Sequence, residues 1–472
     1  MATSDEALIA TQRTAARDAS GVPAEDRGTG RSGGAPERAR NPADDCVHCG
    51  FCLPVCPTWQ SWQEEMDSPR GRIDLYRALE DGRIAMSPIV AEHFDRCLGC
   101  MACLTACPSG VRYDHVIEAA RARVERDLRR GAGDRLHRSA VFALFPRPGR
   151  LRAAGFLLWA WRATGLRRLA RRLGLLRFSR RLAALEALAP PVSLRELLAR
   201  VPARTPARGA RRLRAGLVTG CVQRVFFPGV NAATVRVLAA EGVEVVAPRG
   251  QGCCGALSLH AGRDAEARRL TRALIERFER EAIDVVVVNA AGCGSHLKDV
   301  GALFEHDPEF GPRARAFAAR VKDVTELLAA LPARARRAAV RARVAYHSPC
   351  HLGHAQRVNE PPRALLRSIP ELELVEIPDG EQCCGSAGVY NLVEPESAVE
   401  IGRRKADAVL STRAALLASA NPGCSLHIRR MLAERDVDLP AAHPIELLDR
   451  AIRAAEEEDA ARQGVAAPAR PS

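Results

Sequence analysis

Residues 46–57 read CVHCGFCLPVCP, and residues 97–108 read CLGCMACLTACP. Each run sets three cysteines at three-residue steps, adds a fourth after three intervening residues, and closes on proline. Cys46, Cys49, Cys52 and Cys56 map onto Cys97, Cys100, Cys103 and Cys107, each 51 positions later. Three close thiolates can take three iron corners of a [4Fe-4S] cube, and the short spacers curl the backbone so that its N–H groups can point at the sulfurs. The fourth cysteine lies past the turn and reaches the other cube. The pattern therefore predicts Cys46, Cys49, Cys52 and Cys107 on one cluster, and Cys97, Cys100, Cys103 and Cys56 on a second. Pro57 and Pro108 are expected to break the helix that would otherwise carry each fourth cysteine out of position. Zinc is the competing reading, but zinc favours paired C-x2-C knuckles.

Eight further cysteines form a second duplication. Cys221, Cys253 and Cys293 map onto Cys350, Cys383 and Cys424, with offsets of 129, 130 and 131, and Cys254 and Cys384 complete two adjacent pairs. All sixteen cysteines are thus placed by two repeats. Gly255 and Gly385 follow the adjacent pairs, where a glycine permits the turn that aims both thiols at one point. The stretches GC, HSPC, AAGCG and NPGC fall at the ends of predicted strands and next to helix starts. The carboxyl ends of parallel strands are where such folds bind ligands. Cys221, Cys253, Cys254, Cys293, Cys350, Cys383, Cys384 and Cys424 are therefore candidate metal ligands. Their competing role is a thiol site that docks a partner subunit. His296 in CGSH and His427 in CSLH are weighed as additional ligands against surface or supporting histidines.

Composition narrows the class. The chain has 472 residues, 47% of them hydrophobic and only 4% aromatic, so its cores must be mostly Ala, Leu and Val. The net charge is +14, and lysine occurs only at positions 298, 322 and 405, so the positive charge is almost entirely arginine. No aromatic-and-basic recognition pattern accompanies that charge, and nucleic acid is not an expected partner. No apolar stretch reaches the length of a membrane span, and the first residues lack the pattern of an export signal. The expected compartment is the cytoplasm, where clustered cysteines bind metal or do redox work rather than form structural disulfides.

The expected architecture is α+β and multidomain. Residues 1–41, rich in Ala, Gly, Ser, Asp and Arg, are read as a disordered tail. Residues 42–125 form a helical two-cluster module, in which Ser68 caps a helix begun by Pro69 and ended near Gly82. Residues 126–210 form a basic connector. Its 135–185 portion has no acidic residue and carries leucines at helical spacing, suited to packing on the core or to lying on anionic lipid. Residues 211–335 and 336–455 alternate strand and helix as two repeated parallel α/β units, and 456–472 is read as a second tail. Arg70 and Arg72, in SPRGRI, are weighed as neighbours that tune the clusters against ordinary ion-pair partners.

The four-cysteine runs resemble those of bacterial ferredoxins, and the C…CCG…C units resemble CCG domains. Their order, together with SPRGRI and the Pro- and Arg-rich connector, resembles the iron–sulfur subunit of bacterial glycolate oxidase, from about Asp44 to Arg453. The iron–sulfur subunit of anaerobic glycerol-3-phosphate dehydrogenase has similar parts, whereas lactate-utilisation proteins share the CCG domains but lack the ferredoxin module in the corresponding subunit. The fullest CCG pattern ends in Cys-x-x-Cys, whereas this chain has His296 and His427 at the last positions, which puts the five-thiol cluster of the disulfide reductases in doubt. The resemblance implies two [4Fe-4S] clusters and further iron–sulfur centres in the CCG domains. It implies electron transfer from a flavoprotein partner that oxidises a 2-hydroxy acid, glycolate first among them, to a quinone or another acceptor. The protein would then be cytoplasmic or peripheral on the inner face of the cell membrane. No dinucleotide fingerprint is present, so FAD and NAD are expected elsewhere. The alternative from another class is a disulfide reductase that works through its CCG thiols.

Overall fold

The computed structural model describes residues 41–174, 186, 189–190 and 192–463. The tail expected over residues 1–41 falls outside these except at its last residue, as does part of the basic segment.

The N-terminal module is helical. Helices run Pro57–Trp62, Pro69–Glu80, Pro88–Asp95, Ala102–Ala106 and Tyr113–Asp127. Prolines 57, 69 and 88 each occupy a first helical position, where the missing N–H costs no hydrogen bond. The Ser68 hydroxyl accepts from Gly71 N at 3.0 Å, the cap expected from the sequence. Pro108 follows Cys107 at the end of its helix, as expected. Pro57 acts differently: it opens a helix for which Cys56 is the N-cap. Ile73, Leu79, Phe94, Val116, Ile117 and Val124 form the core of the module together with Cys97 and Cys103.

The connector contains helices Ala132–Leu144, Pro148–Ala163 and Leu166–Arg172. It packs by one face: Leu151 is buried against Leu197 and Val225, with Phe145, Phe156 and Trp159 beside them. Its other face leaves Leu136, Leu157, Leu166, Leu169 and Leu173 exposed.

Two sheets follow. Strands β1 Arg204–Thr205, β2 Leu213–Val218, β3 Val243–Val246, β4 Val285–Val288 and β5 Val321–Asp323 lie in the order β1-β3-β2-β4-β5. Strands β6 Ala342–His347, β7 Leu372–Glu376, β8 Leu416–Ser419 and β9 Ala441–Ala442 lie in the order β7-β6-β8-β9. Apart from β1, which is antiparallel to β3, all pairings are parallel and the two orders are the same. Strands β1, β5 and β9 are too short to show a period, and the sequence reading missed them.

The halves pack reciprocally. Helix Pro228–Ala240, after β2, lies on Pro444–Arg462, after β9, while Val324–Ala329, after β5, lies on Glu360–Arg367, after β6. Arg236 clamps Asp449 across the first contact with two bonds of 2.8 and 2.6 Å. The helix ending at Arg462 runs beyond residue 455, so the expected C-terminal tail is partly structured. Its buried Ile445, Leu448 and Ile452 share one core with β2 and β6, and that packing keeps the chain helical past the expected boundary.

Candidate metal centres

The two four-cysteine loops share left-handed backbone at two equivalent positions. His48 and Gly99, at equivalent positions, have φ of +58° and +60°, and Gly50 and Met101 have +84° and +64°. Non-glycine residues enter this left-handed region only when their surroundings demand it, so the curl inferred from the spacing is built into both loops.

One cavity is lined by Cys56, Cys97, Cys100 and Cys103, with Arg72 and Tyr113 in its wall. This is the set expected for the second cluster. Cys97 Sγ accepts from Gly99 N at 3.3 Å and from the Tyr113 hydroxyl at 3.6 Å. Burial pushes the Cys97 thiol up, but the Arg72 and Arg121 guanidinium groups and these donors outweigh it and hold its pKa below the ordinary value. Cys100 and Cys103 are pushed well above it, first by burial and then by the charge of neighbouring thiols. Four buried thiols gathered on one cavity beside buried arginines make a donor set that fits an iron–sulfur core. The other expected set is nearer the surface. Cys49 is exposed, Cys46, Cys52 and Cys107 are half-buried, and burial first pushes Cys52 up to about 11.

Both candidate tuning arginines are paired. Arg70 chelates Glu65 at 2.7 and 2.9 Å. Arg72 is fully buried and donates to His93 O at 2.6 Å, Thr58 Oγ1 at 3.1 Å and Asp67 Oδ1 at 3.2 Å. It is both an ion-pair partner and a wall of the thiol cavity.

In the α/β halves the thiols form two matching chains. Cys221, Cys253, Cys254 and Cys293 are close enough in that order for each to affect the ionisation of its neighbour, as are Cys350, Cys383, Cys384 and Cys424. Each chain gathers three loops, after β2, β3 and β4 in the first half and after β6, β7 and β8 in the second. There the strand order reverses, and a crevice opens beyond the carboxyl ends. Gly255 and Gly385 take φ of +100° and +87° to turn the adjacent pairs inward. All eight thiols line one mostly apolar cavity of ≈ 280 Å³, walled by connector residues such as Phe145, Leu151 and Leu158.

The cations differ between the halves. Arg224 lies in the field of Cys221 and Cys253 and donates to Gly252 O at 3.0 Å. Lys405, 3% exposed, donates to Asp379 O at 2.9 Å. Burial lowers the Lys405 pKa, and the charges of Cys384, Cys383, Cys350 and Cys424 oppose that shift.

His296 and His427 are buried, and each stands beneath the glycine of an adjacent pair. A Cβ on Gly255 would come within 3.3 Å of His296 Nε2, and one on Gly385 within 3.1 Å of His427 Nε2. His296 Nε2 is bonded to Thr271 Oγ1 and His427 Nε2 donates to Ala398 O, both at 3.0 Å. These contacts give both imidazoles a supporting place. Sequence reasoning missed His347, which lies with Cys384 and Cys424. It also missed Arg121, which donates to Cys97 O and, at 2.8 Å, to His260 O. The signal for His347 was its place in HSPC, three residues before Cys350.

The module and the second half share a buried patch. Cys100 packs with Leu98, Cys350, Cys383 and Tyr390. Tyr390 Oη donates to Arg96 O at 3.0 Å, and Thr105 Oγ1 is bonded to His354 Nδ1 at 2.8 Å.

Comparison with known proteins agrees with this anatomy. Residues 42–111 match a 4Fe-4S dicluster domain, residues 133–189 the linker region of the glycolate oxidase iron–sulfur subunit, and residues 215–298 and 344–429 the cysteine-rich CCG domain. A probable glycolate oxidase iron–sulfur subunit of Bacillus subtilis (strain 168) is 37% identical over 390 residues, 82% of this chain and 88% of the relative. The glycolate oxidase iron–sulfur subunit of Escherichia coli (strain K12) is 33% identical over 398 residues, 81% of this chain and 89% of the relative. Lactate utilization protein A of an Exiguobacterium species is 28% identical over 249 residues, 51% of this chain and 98% of the relative. With the same modules in the same order, and relatives matched over most of their length, the chain is an iron–sulfur protein that belongs to the family of glycolate oxidase iron–sulfur subunits.

Proposed function

We propose that the chain is the electron-transfer subunit of a flavin-linked dehydrogenase that oxidises glycolate to glyoxylate. The flavin sits on a partner subunit, and electrons leave to a quinone or another acceptor. The observation that carries this reading is the burial of Cys100 against Cys350 and Cys383, which gives the cluster module and the second CCG half a water-free contact between their ligand sets. When bound, iron–sulfur clusters accept and release electrons one at a time, which lets a two-electron donor feed a one-electron path.

The chain's own residues set the conditions for that transfer. Cys56, Cys97, Cys100 and Cys103 hold one centre, and Cys46, Cys49, Cys52 and Cys107 the other, whose exposed Cys49 faces the surface where a partner can approach. Arg72, Arg121 and the Tyr113 hydroxyl stabilise negative charge on Cys97. Leu98, Ala102, Tyr390 and Ile401 keep water from the contact around Cys100.

No helix among the described residues is long and apolar enough to cross a membrane. Peripheral contact with the inner face of the cell membrane is supported by the exposed leucines 136, 157, 166, 169 and 173, which alternate with arginines on the connector.

Anaerobic co-purification tests the reading. A flavoprotein partner should accompany the chain, and glycolate should reduce its clusters within that complex. Lactate or glycerol 3-phosphate acting in place of glycolate would reassign the substrate, and reduction by none of them would refute the proposal. The apolar cavity shared by the eight CCG thiols favours one other reading, a disulfide reductase. Turnover of an organic disulfide by the chemically reduced chain without its partner would establish that instead.

A further inference from the structure

The two α/β halves share a strand order and a pattern of four thiols, yet they differ where their first strands end. Strands β2 and β6 correspond residue for residue, so Val218 and His347 occupy the same place. Val218 is buried with Cys253 and Cys254 in an apolar core. His347 is 1% exposed, and neither of its ring nitrogens has a hydrogen-bond partner. Buried polar groups are nearly always engaged, and an orphan calls for an explanation, such as a role in binding an ion. A ring nitrogen of His347, Cys384 Sγ and Cys424 Sγ all lie within 4.8 Å of one another. His296 and His427, the histidines that the spacing singled out, are engaged by Thr271 and Ala398.

We infer that His347 is a metal ligand: it supplies a neutral nitrogen donor to the iron held by Cys384 and Cys424. The inference rests on the iron–sulfur reading of the chain and adds a difference between its halves. The first half offers four thiols, and the second offers four thiols and an imidazole. This second set borders Cys100 through Cys350 and Cys383, so electrons entering from the N-terminal module meet the imidazole-bearing CCG site first.

The test uses the whole chain, purified without oxygen and crystallised with its native metal. An iron-edge anomalous map should place iron within bonding distance of a His347 nitrogen and of Cys384 and Cys424. Pulsed EPR of the reduced protein carrying 15N-labelled histidine should show an imidazole coupling that His347→Val removes. That variant copies the first half and leaves every thiol in place, and the midpoint potential of the affected centre should shift. Iron on the eight N-terminal thiols but none bonded to His347 overturns the inference and leaves the proposed function standing. So does zinc alone at the site, or a nitrogen coupling that survives in His347→Val. Absence of iron from the N-terminal thiols refutes the functional reading itself. The wild-type map decides the matter even where the variant fails to fold.

Discussion

Gly385 offers a direct test of how the second thiol set is built. Its φ is +87°, and a Cβ there would come within 2.5 Å of Ala398 O and 3.1 Å of His427 Nε2. The carbonyl belongs to helix Pro395–Ser411 and is already bonded to His427, so it cannot move alone. Gly385→Ala therefore carries two penalties. Left-handed backbone costs a residue with a Cβ about 1–2 kcal/mol. Forcing a methyl into a filled site costs about 1–3 kcal/mol more. Gly110 isolates the first penalty, because its φ is +67° and a Cβ there meets nothing within 4 Å. The expected losses are about 2–5 kcal/mol for Gly385→Ala and about 1–2 kcal/mol for Gly110→Ala. Anaerobic urea unfolding reads the difference as a shift in midpoint at constant slope. Iron analysis should show Gly385→Ala losing metal while the N-terminal centres keep theirs. Equal stability losses in the two variants would show that the adjacent pair is not held against Ala398 and His427, and the packing argument would fail.

Arg72→Met keeps the buried stem and removes three hydrogen bonds of 2.6–3.2 Å. The destabilisation should be about 3 kcal/mol, the lower end for a broken buried pair, because Asp67 keeps Arg96 and His93, each at 3.0 Å. The midpoint potential of the centre on Cys97 should also fall in an EPR-monitored titration, since a cation that favours the reduced state is gone; an unchanged potential would show that Arg72 acts only through Asp67. Asp323, 1% exposed, caps helix Val324–Ala329 and is pushed up to about 6, chiefly by burial. Its raised folded pKa makes the folded state bind the proton more tightly than the unfolded one. Its contribution is thus most favourable below about pH 4 and is lost as pH rises towards 6, by at most about 3 kcal/mol. Asp323→Asn, which keeps the acceptor for Thr325 N, should flatten this part of the stability profile, and identical unfolding slopes for wild type and variant between pH 4 and 6.5 would contradict the assignment.

The sequence by itself determined the cysteine positions, their two duplications, the cap at Ser68 and the alternation of strand and helix that makes two α/β halves. Each is a signal carried by order and spacing along the chain, and that spacing survives folding unchanged. The short edge strands and the helix ending at Arg462 were not legible, because partners distant in sequence create them. The same holds for the sites. Spacing pointed to His296 and His427, and packing gave each a hydrogen-bond partner beneath Gly255 or Gly385. Spacing gave no reason to prefer His347, whose unpartnered ring depends on loops contributed by three strands. Only the tertiary structure placed eight thiols around one cavity and buried Cys100 against Cys350 and Cys383. Those contacts join residues hundreds of positions apart, and they exist because burying the apolar faces of two sheets and a helical module fixes how the pieces meet.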